Sequence, residues 1–476
     1  MEKSSITKNF FFNILLTLST YIAQLVVYPY VSRVLGVDNM GIIGFVNKTI
    51  DIFLIFSTLG ISIVGIREVA SVKKDRGALD KVFSSLVTFI LISTVLVSII
   101  YLLAILWVTK FNIYSNLFLI GLSKLIFSTF LIEWFYQGIE NFKFITIRSL
   151  IVKVLYIISV FLFVRDNEDT WIYFFLTTAV VVLNSVLNWA YSRKLVRFKL
   201  DFSGVKLFIK PMLIYGMYQL LNATFSTFNY LFLGFITTPK ELGYYYTSEN
   251  FYGILLALIS AFTRVMLPRM SFLLADGKEN EFKRMIEKSF DVVLSICLPI
   301  SIFGIFFASG LVNLFSGTGY EGAVLPLQIM MVLVLINSIN QILIIQVATP
   351  LKLDREILIG TAVATVIALT ANYFMTKYWG AVGCSMVLVI SVIIANLYPI
   401  YCLIKKKGFK LPIKVMSRQL FFALPYIVIS FVAILLGRSN IIITMIIAAV
   451  CYGAYYMLVP GRSFVLEYSS RLIGKR

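Results

Sequence analysis

The chain has 476 residues, of which 59% are hydrophobic and 14% charged, with a mean hydropathy of +0.91. A soluble domain is about one-quarter charged, so the composition excludes a close-packed soluble fold and points to a membrane bundle. The formal net charge of +19 would suit a nucleic-acid binder, but the placement of the charges, described below, argues against that class.

Apolar blocks of roughly 20 residues, enough to cross a bilayer at about 1.5 Å rise per residue, succeed one another along the chain. Backbone groups in lipid must bond within their own segment, so these blocks are predicted to be helices. Fourteen spans are expected, at 10–32, 42–66, 82–108, 114–136, 148–164, 171–191, 211–236, 243–267, 289–310, 323–348, 357–376, 380–403, 419–437 and 440–460. The expected fold class is an all-α polytopic membrane protein. With a cytoplasmic N-terminus, most of the 42 lysines and arginines fall in the tails and the inner loops. The positive-inside rule then puts both termini in the cytoplasm, and anionic lipid accounts for the charge. Residues Met1 to Asn9 are too polar for a signal peptide.

In chain order, Arg33 ends the first span and reads as a snorkelling cation or a cargo contact. Lys48 and Asp51 lie three apart on one face of the second span. They read either as a cavity wall, with Lys48 meeting an anionic cargo and Asp51 coupling an ion, or as a neutralising pair that pins helices. The segment Arg67 to Lys81, like Arg193 to Lys210, Arg269 to Lys288 and Lys405 to Arg418, mixes charges with apolar residues as interfacial helices do.

Lys124 lies about ten residues, or about 15 Å, into the fourth span, with no carboxylate three or four residues away. At that depth a cavity-facing cation is expected. Glu133, beside Trp134 near the inner end, reads equally as interfacial or functional. The seventh span is unusually polar, with Asn222, Thr224, Ser226, Thr227 and Asn229. So is the tenth, with Asn337, Asn340, Gln341 and Gln346. Such groups suit the hydroxyls of a sugar, or bridge one helix to the next.

Tyr244 to Tyr246, at an outer end, reads as interfacial belt. Glu249, two turns into the eighth span, would bind a coupling cation or pair with a neighbouring helix. Arg264 and Arg269 close that span as headgroup anchors, Arg264 being also a candidate cargo contact, and Asp291 is expected in a boundary salt bridge with Lys288. The cysteines Cys297, Cys384, Cys402 and Cys451 have no metal spacing and read as packing residues. Histidine is absent, which removes His catalysis, His metal sites and His relays. No metal or cofactor is expected, and coupling to a proton or sodium gradient falls to carboxylates such as Asp51, Glu249 and Glu133.

An internal repeat runs at an offset of 202 residues, with Gly41 on Gly243, Ile52 on Ile254, Leu54 on Leu256 and Arg67 on Arg269. An even number of spans separates the copies, so both face the same way. Two six-helix lobes about an axis along the membrane normal are expected, residues 1–205 and 206–405, followed by two additional helices and a tail over 406–476.

Several segments resemble the Wzx-type oligosaccharide flippases of the multidrug/oligosaccharidyl-lipid/polysaccharide transporter superfamily. They are YPYVSRVLG from Tyr28 with Gly41, LGISIVGIREVA from Leu59, and WFYQGIENFKFITIRS from Trp134 continuing to Val160 to Val164 and Asp169. LPRMS from Leu267 and PLQIM from Pro326 follow in the second half. The likeness covers roughly residues 8–415.

That resemblance implies two lobes around a central cavity working by alternating access in a bacterial cytoplasmic membrane. It implies a polyprenyl-diphosphate-linked glycan as cargo, carried from the inner to the outer leaflet for capsule, O-antigen or exopolysaccharide assembly. A polymerase and glycosyltransferases are the implied partners. On this reading Lys48, Lys124, Arg33 and Arg264, with Asn222, Asn229 and Gln341, meet the cargo. A multidrug or cation antiporter of the same superfamily, with a net acidic cavity, is one alternative, and a peptidoglycan-precursor lipid flippase is the other. A membrane glycosyltransferase or polymerase would need a large outer loop or an acidic catalytic motif, and neither is visible in the sequence.

Overall fold

The computed structural model describes residues 6–223, 227–436 and 441–458. Among these the chain is helical nearly throughout and contains no strand. It forms two compact units, Met1–Gly243 and Tyr244–Arg476.

The first unit is built from α1 (Ile6–Thr58), α2 (Ile61–Val72), α3 (Arg76–Trp107), α4 (Thr109–Ile113), α5 (Ser115–Ser128), α6 (Glu133–Gly138), α7 (Phe142–Phe163), α8 (Thr170–Ser192), α9 (Phe202–Ala223) and α10 (Asn229–Ile236), with the start of α11 (Pro239–Ala275). The second continues α11 and adds α12 (Glu279–Phe306), α13 (Ala308–Ser316), α14 (Val324–Gln341), a π-helical segment Ile342–Ala348, α15 (Asp354–Lys407), α16 (Ile413–Leu436) and α17 (Ile441–Leu458).

Ten helices among the described residues are long and apolar enough to cross a membrane. Two of them are double-length. α1 breaks at Gly36 (φ 76°) and α15 at Gly380 (φ 53°), a backbone conformation that costs glycine little and a β-carbon-bearing residue more. Each therefore holds two helical stretches where the sequence reading has two spans.

The outward faces are apolar. Leu96, Ile99, Ile100, Leu103 and Leu106 on α3, and Leu420, Leu424, Val428, Phe431 and Leu435 on α16, are all exposed. Their three- and four-residue spacing makes one stripe per helix, and exposed apolar area of that extent needs lipid against it. Trp107, Trp171, Tyr378 and Trp379 are exposed close to helix ends, as interfacial aromatics are. The tyrosine run at 244 is more buried than a belt would be, for Tyr245 has no exposed surface.

Two of the segments read as interfacial helices continue spanning ones: α11 runs on to Ala275 before α12 starts at Glu279, and α15 carries Lys405 to Lys407 in its last turn. The seventh span (α9 and α10) packs on the helices of the first unit. Gly60 sits against Tyr215 and Gly216, and Gly234 against Phe45. That packing keeps α9, α10 and the start of α11 with the first unit, which runs to Gly243. The repeat-related Gly41 and Gly243 lie against each other, and a Cβ on Gly41 would stand 2.1 Å from Pro239 O and 2.6 Å from Gly243 N. Only glycine lets two backbones come that close.

Candidate functional site

Charges inside the first unit gather in two places. Asn47 and Asp51 are four residues apart on the second stretch of α1, so their side chains share a face. Lys124, on α5, reaches that face. Its Nζ donates to Asp51 Oδ1 at 3.0 Å and to Asn47 Oδ1 at 3.4 Å. The Lys124 side chain is 18% exposed and that of Asp51 45%, so the pair has one buried and one accessible end. The carboxylate partner that local spacing could not supply comes from a different helix. Asp51 is accordingly held by Lys124, while Lys48 lies half-buried one turn before it with contacts of its own. An ammonium has three donors, and among the described residues Lys124 uses two of them on these oxygens.

The second place is the contact of α6, α7, α8 and the first turns of α1. Arg148 is almost fully buried, its Nη2 2.8 Å from Glu133 Oε1 and its Nη1 donating to Asn184 O at 3.0 Å. Glu133, expected as a coupling or interfacial carboxylate, thus neutralises a buried guanidinium. Lys153 donates to Ser19 Oγ at 2.8 Å, Thr20 Oγ1 at 2.7 Å and Leu16 O at 3.3 Å. All three of its donors meet neutral oxygens, and among the described residues it forms no ion pair.

The fifth span as read from the sequence begins at 148, and neither Arg148 nor Lys153 is singled out there. α7 begins at Phe142, capped by Asn141 accepting from Phe144 N. Lys153 consequently falls at the midpoint of a 22-residue helix. The signal that could have found the earlier start is Asn141 itself, a residue type favoured at helix N-caps.

The WFYQG segment is a structural staple. Trp134, Phe135 and Tyr136 are buried in an aromatic block with Phe83, while Trp189 stacks on Phe83. Tyr136 OH donates to Asn188 O, and Asn188 Nδ2 donates back to Leu131 O. Ile132 (φ 30°) and Glu140 (φ 62°) bracket the short helix in left-handed conformations. They turn the chain sharply enough to lay Trp134 on Gly65, whose hypothetical Cβ would be 2.6 Å from the indole.

In the second unit, Gln341 is tied at both ends of its amide: Nε2 donates to Ser260 Oγ at 2.8 Å, and Oε1 accepts from Thr263 Oγ1 at 2.9 Å. Asn337 donates to Tyr252 OH. Amides of α14 therefore bridge to α11, the helix-joining role weighed beside sugar recognition. Glu249 is half-buried one turn before Tyr252, and Arg264 is exposed near the end of α11. Asp291 pairs with Arg418 and Gln419 at the start of α16, a partner 127 residues away that local spacing could not point to.

Arg33 is exposed one turn before the Gly36 break and donates to Pro29 O at 3.2 Å. Asn229 opens α10 and is fully buried. The side chains of Asn222, Thr224 and Ser226 lie outside the described residues. Cys297 accepts from Ser338 Oγ at 3.2 Å in the packing between α12 and α14.

The helices, their lipid-facing stripes and their intramembrane charges define a multi-pass α-helical membrane protein. The chain shares its fold with "Lipid II flippase MurJ, inward closed conformation", at a TM-score of 0.73 and 16% identity over 94% of this chain and 98% of that one. It is also similar to an inward-facing multidrug resistance MATE family transporter of the MOP superfamily, at a TM-score of 0.60 and 14% identity over 84% and 99%. These likenesses concern fold alone.

Residues 6–274 match the family described as polysaccharide biosynthesis protein, and the chain belongs to that family. Two curated relatives are both named "Putative O-antigen transporter". One, from Escherichia coli (strain K12), is 24% identical over 81% of this chain and 94% of its own length. The other, from Shigella dysenteriae, is 20% identical over 81% and 96%.

Proposed function

We propose that the protein is a transporter, not an enzyme, and that it flips a polyprenyl-diphosphate-linked oligosaccharide from the inner to the outer leaflet of a bacterial cytoplasmic membrane. The observation that carries this reading is the match to two proteins named as O-antigen transporters over four-fifths of the chain and nearly all of theirs. On this reading the chain crosses fourteen times with both termini inside, and two six-helix lobes alternate access to a central cavity. A polymerase and glycosyltransferases supply and consume the glycan, whether for O-antigen, capsule or exopolysaccharide.

The physical difficulty in such transport is the diphosphate, whose charge cannot enter hydrocarbon alone. Lys124 with Lys48 offers it a resting place, and Arg33, Arg264, Asn222 and Asn229 are the further candidate contacts. Gln341 would first have to leave Ser260 and Thr263. An incoming phosphate competes with Asp51 for Lys124. The displaced carboxylate, partly exposed already, then takes up a proton or a sodium ion. That exchange would couple cargo to a gradient without histidine. Glu249 is the corresponding candidate in the second unit, while Glu133 is committed to Arg148.

The two alternatives differ in charge. A cation antiporter wants carboxylates in excess at mid-depth. In the first unit Lys124 pairs with Asp51 and Arg148 with Glu133, while Lys153 meets only neutral oxygens, and a cation so placed favours an anionic cargo. A peptidoglycan-precursor flippase shares the diphosphate and differs in the glycan.

Complementation separates the three. In a strain lacking its own oligosaccharide flippase, the protein is expected to restore surface polysaccharide. Restoration only of a strain lacking peptidoglycan-precursor transport, or only of drug resistance, would assign the corresponding alternative.

A further inference from the structure

The second unit carries an irregularity that the transport reading does not use. α12 and α14 run antiparallel: Gln328 Nε2 donates to Ile305 O at 2.9 Å, and further along Ser338 Oγ donates to Cys297 Sγ at 3.2 Å. α12 also packs on the stretch Ile342–Ala348 that follows α14. Gln346 has no exposed surface, and among the described residues neither Oε1 nor Nε2 has a hydrogen-bond partner. Ser289 on α12 is 1% exposed, and its Oγ is likewise without one among the described residues.

The backbone at the same place is π-helical over Ile342–Ala348. Thr349 N donates to Ile344 O at 2.9 Å and Leu353 N to Ala348 O at 3.1 Å, each spanning five residues, and the turn after the segment ends at Lys352 with φ 59°. A π turn holds one residue more than an α turn, is rare, and concentrates where helices work. An amide enclosed with neither end bonded is costly, and a native fold keeps few such groups. Backbone irregularity and stranded amide fall in one seven-residue stretch, against which α12 packs. Moving the surplus residue along the helix by one position would turn Gln346 by about 100°, out of the cage in which it has no partner.

We infer that Ile342–Ala348 is a two-state hinge, in which α14 shifts register between this π-helical arrangement and one that gives the Gln346 amide hydrogen bonds. The inference concerns the motion of the second unit and holds whatever cargo the protein carries.

The test uses full-length protein with Cys451→Ser, the other three cysteines being buried. Spin labels are placed at Lys283→Cys and Lys352→Cys, both exposed positions, and their separation is measured by double electron–electron resonance. Two distance populations are expected. Gln346→Met, which keeps the volume and removes the amide, is expected to collapse them to the population of the present arrangement without lowering the melting temperature. Deleting Ile345, which closes the turn to α-helical register, is expected to leave only the other. A single distance in the parent protein, or two populations unchanged in Gln346→Met, would overturn the hinge. Gln346→Met decides the matter alone if the deletion variant does not fold.

Discussion

Lys124 Nζ lies 3.0 Å from Asp51 Oδ1 across 73 residues of chain. The pair is the point at which charge inside the first unit is both neutralised and accessible, since one partner is nearly half exposed. It carries two roles that separate experimentally, holding α5 on α1 and offering a cation to cargo.

Exchanging the two residues, Asp51→Lys with Lys124→Asp, keeps the ion pair and moves the cation to the other helix. Folding should survive the exchange, because the ion pair is re-formed with its two charges exchanged. Transport should fall at least about tenfold, a barrier change of about 1.4 kcal/mol. Melting in detergent and surface-polymer yield are the two readouts. Unchanged yield from a well-folded swap would show that the position of the cation is immaterial.

Lys153→Met removes the mid-helix ammonium that binds Leu16 O, Ser19 Oγ and Thr20 Oγ1. The stem still packs, but three oxygens lose their donor. At about 0.5–1.5 kcal/mol net per hydrogen bond, a loss of roughly 1.5–4.5 kcal/mol is expected, and Lys153→Arg should recover part of it. Thermal melting of the two variants beside the parent checks this.

Much of this architecture was legible before any coordinates. The alternation of apolar blocks with basic loops gives the helical membrane class, whereas the contact of Gly41 with Gly243, aligned in the sequence only as repeat positions, comes from the packing. What could not be read was which charges meet. Asp51 and Lys124, Glu133 and Arg148, and Asp291 and Arg418 pair across helices, and nothing in local spacing encodes a tertiary partner. Lys153 was not singled out, because its place at the midpoint of α7 depends on a helix start at Phe142 and not at 148. Gln346 was visible as one polar residue among four, but its lack of partners is a property of packing.

Gly41→Ala is a steric test of the crossing. The added methyl would stand 2.1 Å from Pro239 O, and backbone cannot yield as a side-chain tip can. Overpacking of this kind costs about 1–3 kcal/mol, so a lower melting temperature and reduced membrane yield are expected. Gly253→Ala, with nothing within 4 Å of the added carbon, should be close to neutral in the same assay.

At the end of the first six-span stretch, Asp201 accepts from Ser85 Oγ at 2.6 Å, Ser203 Oγ at 2.7 Å and Gly204 N at 3.0 Å. These bonds, that from Ser85 foremost, lower its carboxyl from 3.8 to about 2. A depressed acid stabilises fully above its unfolded value and loses that contribution as pH falls through the folded one. The melting difference between parent and Asp201→Asn should therefore be constant at pH 5 and above and shrink from about pH 4 downward. A difference that grows on acidification would contradict the hydrogen-bonded assignment.

The most direct measurement is transbilayer transfer in proteoliposomes containing the purified protein and a fluorescent polyprenyl-diphosphate-linked oligosaccharide. Parent protein is expected to bring the glycan to the opposite leaflet far faster than protein-free vesicles do, and Lys124→Ala to abolish most of that gain. Equal acceleration of a glycan linked to polyprenol without phosphate, or no acceleration by correctly inserted parent protein, would contradict the account.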